Sequence, residues 1–247
     1  MSLPKIEQPL FTEIIPSTKQ KVKLRPMLVK EEKILLMAKE SQENNSIMLA
    51  VKQIVNNCMS DKIDIDRLAM FDIDYLFIKI RAQSIDSKMK LSYTDDEDEP
   101  TKNKLGEMVK KTYDFDIDIN DIEVKFPENI ENVIKMGKDS GLKLKYPEAS
   151  VYDSEKLANA TTPEEIVEEL IVNSFDSYFE GSKIYPFKDA TKEEISEFVD
   201  NLPLDVYDKV VEFFNNLPTV YYKITFKNSK GTEREIVLNK LTDFFTV

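Results

Sequence analysis

Leu3-Pro4-Lys5, Ile14-Ile15-Pro16-Ser17-Thr18 and Lys23-Leu24-Arg25-Pro26-Met27-Leu28-Val29-Lys30-Glu31-Glu32-Lys33 belong to an opening segment that reads as two short strands feeding a helix. Within it Lys19, Lys21, Lys23 and Arg25 alternate with Gln20, Val22 and Leu24. That is strand periodicity, and it gives one strongly basic face. Two readings of that face stand side by side. It is a solvated edge strand whose lysines discourage edge-to-edge pairing, or a docking strip for an acidic partner, since no other positive face in this acidic chain is as concentrated. An interface measurement separates them.

Helices follow the strands. From Val29 to Ser41 the apolar set includes Ile34, Leu35 and Ala38, and then Ile47, Ala50, Val51, Ile54, Val55 and Cys58 recur at spacings of three and four. Those six share one helical face, which makes Cys58 a core residue. A reactive thiolate needs access and a nearby cation or dipole. The segment Asp74 to Ser84 carries Tyr75, Leu76, Phe77, Ile78 and Ile80 almost all round, so it is a central helix or a buried strand; its length and Lys79, Arg81 and Gln83 favour the helix.

The character of the chain changes near Lys88. Asp95-Asp96-Glu97-Asp98-Glu99 before Pro100 is a run of five carboxylates, and like charges at that density are expected to repel into an extended, solvated loop. Beyond it Tyr113, Phe115, Ile117 and Ile119 alternate with Asp114, Asp116 and Asp118, and then the phase flips to Ile122, Val124 and Phe126. Such a flip marks a bulge or a turn. A two-residue turn at Asn120-Asp121 predicts a hairpin with Ile119 opposite Ile122, Ile117 opposite Val124 and Phe115 opposite Phe126. The alternating acids also invite a calcium-loop reading, but the sixth position is Ile119 instead of Gly and the twelfth is Lys125 instead of Glu. Both the sharp turn and the bidentate ligand are therefore missing. Gly141 to Tyr146 predicts one more strand, ended by Pro147.

The third region returns to helices. Thr162-Pro163-Glu164-Glu165 and Thr191-Lys192-Glu193-Glu194 each place a hydroxyl three residues before a glutamate, the reciprocal capping pattern. Each predicts a helix start. The first helix is expected to bury Ile166, Leu170, Ile171, Phe175 and Tyr178 until Gly181 stops it; another, from Pro203, presents Val206, Tyr207, Val210, Val211, Phe214 and Leu217. At the end of the chain Val220, Tyr222, Ile224 and Phe226 face Ile236 and Leu238 across Asn228-Ser229-Lys230-Gly231, a type I turn with a left-handed Gly. The predicted register sets Lys227 against Glu233, Ile224 against Ile236 and Tyr222 against Leu238. No Cys or His stands at the tip to make it a zinc ribbon. The closing Leu241-Thr242-Asp243-Phe244-Phe245 is expected to be tied down. One Phe enters the core, and the other is offered to a partner.

Composition narrows the chemistry. The chain has no His, no Trp, one Cys and five Gly in 247 residues, so no imidazole base, His-bearing metal site or Gly-rich phosphate loop can be built. The expectation is a protein that is not an enzyme, without cofactor or metal. A net charge of −12 disfavours nucleic acid and anionic membranes, which need clustered Lys and Arg. The single Cys suits a reducing compartment. No run approaches the roughly 20 apolar residues that span a bilayer, and no apolar signal core opens the chain, so a soluble protein is expected. A hydrophobic content of 41% is enough for a real core. Together these readings predict an α+β fold in three regions: 1–87 with the hairpin and helices, a β-rich 88–150, and 151–247 with helices closed by a hairpin.

The order Pro9-Leu10-Phe11, Ile15-Pro16-Ser17-Thr18, then Arg25-Pro26 and Leu28-Val29-Lys30-Glu31-Glu32-Lys33-Ile34-Leu35-Leu36 resembles the amino-terminal segment of a baseplate hub protein family of contractile-tailed, T-even-type bacteriophages. The resemblance implies a non-enzymatic tail morphogenesis protein acting in baseplate hub assembly, as a hub subunit or as an assembly chaperone. Its partners would be other tail or hub proteins. It would work in the host bacterial cytoplasm during assembly, or in the virion tail baseplate. The candidate partner-binding residues are Lys19, Lys21, Lys23, Arg25, Phe244 and Phe245. Two other classes compete. An acidic adaptor or inhibitor binding a basic protein needs carboxylates along one rigid face, and a carboxylate-only metal hydrolase around Asp114 to Asp121 needs acids converging from separate elements.

Overall fold

The computed structural model describes residues 8–41, 46–85, 87–102, 104–128 and 131–244. Leu3-Pro4-Lys5 and Phe245 lie outside them. The opening segment forms two antiparallel strands, β1 (Phe11–Ile14) and β2 (Lys21–Leu24), which lead into α1 (Val29–Glu40). In the connecting turn Lys19 takes a left-handed φ of 60°. Next come α2 (Ser46–Cys58) and α3 (Met70–Ser84). The six residues expected on one face of α2 include Ala50, Val51, Ile54, Val55 and Cys58, all buried, with Ile47 packed against the same core. The helical reading of the third segment holds, and the structure explains its all-round apolarity. Ile73, Leu76, Phe77 and Ile80 enter the amino-terminal core with Leu24, Leu35 and Ile54. Ile78 and Ala82 face a second core, which they share with the carboxy-terminal strands. A helix with a core on either side needs no polar face.

The middle of the chain is a string of short strands: β3 (Lys88–Thr94), β4 (Thr101–Lys102), β5 (Met108–Val109), β6 (Thr112–Asp118), β7 (Glu123–Lys125), β8 (Val133–Lys135) and β9 (Ser140–Leu144). The hairpin expected at Asn120-Asp121 does not form. β6 pairs with β3 instead, with Phe115 opposite Leu91 and Ile117 opposite Met89. A single 3-10 turn, Ile119–Asp121, then swings the chain so that β7 can pair elsewhere. Ile119 and Ile122 are both buried, but as neighbours in the second core rather than as a cross-strand pair. The phase flip was a genuine turn. Its partners were decided by the apolar surface of α3, whose Lys79 ammonium also donates to the carbonyl of Asn120.

The last third contains α4 (Glu155–Asn159), α5 (Pro163–Val172), β10 (Phe175–Glu180), β11 (Lys183–Pro186), α6 (Lys192–Asp200), α7 (Leu204–Asn215), β12 (Thr219–Lys227) and β13 (Glu233–Leu238), then a 3-10 turn, Leu241–Phe244. Both capping boxes form. The Thr162 and Thr191 hydroxyls accept from the N–H of Glu165 and Glu194, each at 3.2 Å, and each glutamate accepts in return from the threonine N–H. The first helix, however, ends at Val172. Phe175 and Tyr178 lie on β10, and Gly181, at φ 58°, turns that strand into β11. Four antiparallel strands in the order β11-β10-β9-β8 complete a sheet. Its core gathers Leu142, Leu144, Ile171, Phe175, Val210 and Phe213. Aromatic residues favour a pleated, half-buried surface, and the pairing of Phe175 with Leu144 outweighed the helical spacing.

One position in that sheet admits no side chain. Gly141 lies opposite Phe179, and a Cβ there would stand 2.6 Å from the Phe179 ring and 2.8 Å from the carbonyl oxygen of Ile134. Gly141→Ala is expected to destabilise the protein by about 1 to 3 kcal/mol, because the obstacle includes backbone that cannot rotate away. Urea denaturation checks this. An unchanged midpoint would mean that the sheet accommodates the methyl group.

The carboxy-terminal hairpin matches its predicted register throughout, with Lys227 opposite Glu233, Ile224 opposite Ile236 and Tyr222 opposite Leu238, and Gly231 at φ 81°. β12 also pairs with β7, so the sheet order is β13-β12-β7. Mixed helices and strands in this order make the fold α+β.

Candidate docking surfaces

The four residues of the basic strip do not act alike. Lys21 and Lys23 are exposed and, among the described residues, form no ion pair. Lys19 stands on the turn with its ammonium 4.9 Å from the centre of the Phe126 ring. Arg25 is turned inward: its guanidinium donates to Glu31 at 3.0 Å and to the carbonyl of Asn57 at 2.8 Å. The Glu31 side chain is fully buried and also accepts from the N–H of Leu28 at 2.8 Å. Burial opposes its ionisation, but Arg25 and the Leu28 N–H outweigh burial and hold the carboxyl below its ordinary range. Arg25 therefore staples β2 to the start of α1.

The backbone of β2 is also occupied on its outer side. The N–H of Arg25 donates to the carbonyl of Cys58 and the N–H of Ser60 to that of Lys23, each at 2.9 Å, while the N–H of Lys23 donates to Asp61 at 2.6 Å. Where the edge is covered in this way, at Lys23 and Arg25, it needs no lysine to guard it. Behind the strand the turn is anchored by Ser17, whose N–H and hydroxyl donate to the buried Asp72 at 2.8 and 2.5 Å. Lys21 and Lys23 thus project from a rigid base. The Cys58 thiol beneath it is buried, and burial pushes it up to about 11, so it stays protonated and inert.

The acidic run is where the structure departs furthest from expectation. Asp95 and Asp98 are 1% and 2% exposed. Asp95 accepts from Nε and Nη2 along one edge of the Arg234 guanidinium, at 2.7 and 3.2 Å. Asp98 accepts from the Ser229 N–H at 3.1 Å, from the Ser229 hydroxyl, and from the Tyr113 hydroxyl at 2.8 Å. Arg234 holds the Asp95 carboxyl below its usual range, and Ser229 does the same for Asp98. Beneath this clamp Phe226 of β12 packs against Tyr93, Tyr113 and Phe115, with ring centres 5.7, 4.8 and 5.3 Å apart. The segment is a strap over the tip of the terminal hairpin. Repulsion among its acids is offset by a bidentate arginine and the turn donors of Ser229. Composition alone suggests repulsion; the signal that was present is Arg234, the only arginine after Arg81.

Of the two terminal phenylalanines, Phe244 is 2% exposed and packs in the second core with Ile78, Val220 and Leu238. Asp243 fixes this end by accepting from the N–H groups of Asn239 and Lys240 at 3.0 and 2.9 Å. Phe244 and the lysines of β2 therefore lie in different parts of the fold. A cleft of about 650 Å³ beside β10 is lined by several lysines, but Lys143 pairs with Asp176 and Lys145 with Glu148, both at 2.9 Å. The acids of β6 do not converge: Asp114 accepts from the Ser92 hydroxyl at 2.6 Å, and Asp118 from the N–H of Asn120 at 3.0 Å. Among the described residues no three Asp, Glu or Cys side chains are grouped to hold a metal ion, and no helix is long and apolar enough to cross a membrane.

Compared with known proteins, the chain matches the family model for T4 bacteriophage base plate protein over residues 8–246. No curated protein and no solved structure gives a significant match. All of the described residues, β1 and the buried Phe244 included, lie inside the matched range. The chain belongs to the T4 bacteriophage base plate protein family, whose members have a structural or assembly role in the phage baseplate.

Proposed function

We infer that this protein is a non-enzymatic assembly component of the baseplate hub, which docks an acidic surface of another hub protein through Lys21 and Lys23. The observation that carries the reading is a pair of exposed lysines, without an ion pair among the described residues, on a strand whose backbone edge is already covered at Lys23 and Arg25. Guarding the edge leaves them no task, and docking does. The family match supplies the setting. Arg25, from the same strip, serves the fold instead, and Lys19 flanks the contact from the turn. The docked strap at Asp95 to Glu99 gives some support to an acidic adaptor, but its two buried acids are turned to Arg234 and Ser229 rather than outward.

The test is the double reversal Lys21→Glu, Lys23→Glu. Exposed charges contribute only about 0 to 1 kcal/mol each to stability, so the variant should fold normally. Hub assembly should fail. Normal assembly with this variant returns the strip to a solvated surface. Mass spectrometry of purified virions then divides the reading: a fixed copy number per particle identifies a hub subunit, and absence from the particle identifies an assembly chaperone.

A further inference from the structure

Asp74, on α3, faces a cleft of about 250 Å³ between the amino-terminal helices and the terminal strands. The walls are mainly apolar, with Phe71, Pro147, Leu217 and Leu241 among them. Among the described residues its carboxyl group has neither a hydrogen bond nor an ion pair, and burial alone accounts for its raised pKa of about 7. That isolation sets it apart from four acids that the fold buries elsewhere. Glu31, Asp72, Asp95 and Asp98 are each held by at least two donors. Two other titratable groups line the cleft: Tyr152, from the turn Ala149–Asp153, and the exposed Lys240, before the closing turn. β12 contributes Thr219 and no charge. Burial and the nearby Asp74 push the Tyr152 hydroxyl up to about 12, so it stays neutral.

We propose that this cleft receives one basic side chain, best an arginine, from a partner protein, with Asp74 as its counter-ion. A half-buried carboxylate without a partner in a mainly apolar cleft is costly, and a guanidinium supplies both the opposite charge and a planar body that can lie on aromatic walls. The apolar lining would shield that pair from water, which strengthens it. The proposal rests on the reading that the chain docks onto other baseplate proteins, and it adds a second contact of opposite polarity to Lys21 and Lys23.

The test uses the isolated full chain, so its outcome does not depend on hub assembly. The probe is the peptide acetyl-Leu-Arg-Leu-amide, with the citrulline peptide as its neutral isostere, followed by amide chemical shifts. At pH 8 the arginine peptide should give saturable shifts at Asp74, Tyr152 and Thr219. The citrulline peptide, and the arginine peptide on Asp74→Asn, should bind at least tenfold more weakly. Binding should also weaken about tenfold from pH 8 to pH 6, as the charged fraction of a group titrating near 7 falls. Asp74→Asn is isosteric and should remain folded, which its own amide spectrum reports. No saturable shift at 20 mM peptide (about 2 kcal/mol of binding on the usual scale), or equal binding of the citrulline peptide, overturns the proposal.

Discussion

Phe244→Ala is expected to lower the stability of the isolated protein by about 3 to 5 kcal/mol, the range for removing a buried phenylalanine. For a chain of this length that corresponds to a fall of roughly 6 to 20 °C in Tm. The size follows from position. Phe244 is 2% exposed and closes the core formed by Ile78 of α3, Ile117 of β6 and Val220 of β12. The cavity would open where three sequence regions meet, so relaxation into it would disturb all of them. Thermal melting of the variant checks the magnitude, and hydrogen exchange checks the location. Protection should be lost first in β12, β13 and the closing turn. A variant that melts within a degree of the parent would mean that Phe244 is dispensable to this core.

The second large effect is pH-dependent. In the unfolded chain Asp74 loses its proton at the ordinary carboxylate value of 3.8, whereas burial holds the folded carboxyl at about 7. Between those values the folded state binds more protons than the unfolded state, so the contribution of Asp74 to stability falls as pH rises through that window. Well below pH 3.8 the group is neutral in both states and costs nothing. Well above pH 7 it is charged in both, and the folded state bears a penalty of at most about 4 kcal/mol, at 1.36 kcal/mol per pKa unit, reduced by the water that reaches this half-buried carboxyl. Asp74→Asn removes the titration. The variant should therefore be more stable than the parent at pH 8, with the two converging below about pH 3.8. Denaturant titrations of both proteins across this range provide the check. Parallel profiles would mean that the carboxyl is solvated or paired in solution. A stabilising substitution at a site proposed to bind a partner is also physically reasonable, because an unfilled counter-ion site costs stability until the partner arrives.

Local chemistry was legible in the sequence. The helix starts at Thr162 and Thr191, the apolar face of α2, the burial of Cys58 and the complete register of the terminal hairpin all depend on interactions within a few residues or across one short turn. Such interactions are written in spacing and residue type, so they could be read from either side of a single Gly or Thr. The division of the basic strip was only half legible. Alternation put Lys21, Lys23 and Arg25 on one face, but it could not show that Glu31 would draw Arg25 inward.

Tertiary structure decided what pairs with what over long separations. Asp95 meets Arg234 across 139 residues, and Asp98 meets Ser229 across 131. No local rule converts a repelling acidic run into a docked strap; the donors that neutralise it had to be delivered by a distant hairpin. β6 and β7, adjacent in sequence, were separated onto β3 and β12 because α3 offered Ile119 and Ile122 a common apolar surface. Phe175 and Tyr178 continued a helical spacing, but β9 offered them a pairing edge. In each case the sequence determined which side chains sought cover or charge. The surface brought alongside by the rest of the chain determined where they found it, because burial and pairing energies depend on the neighbour and not on the residue alone.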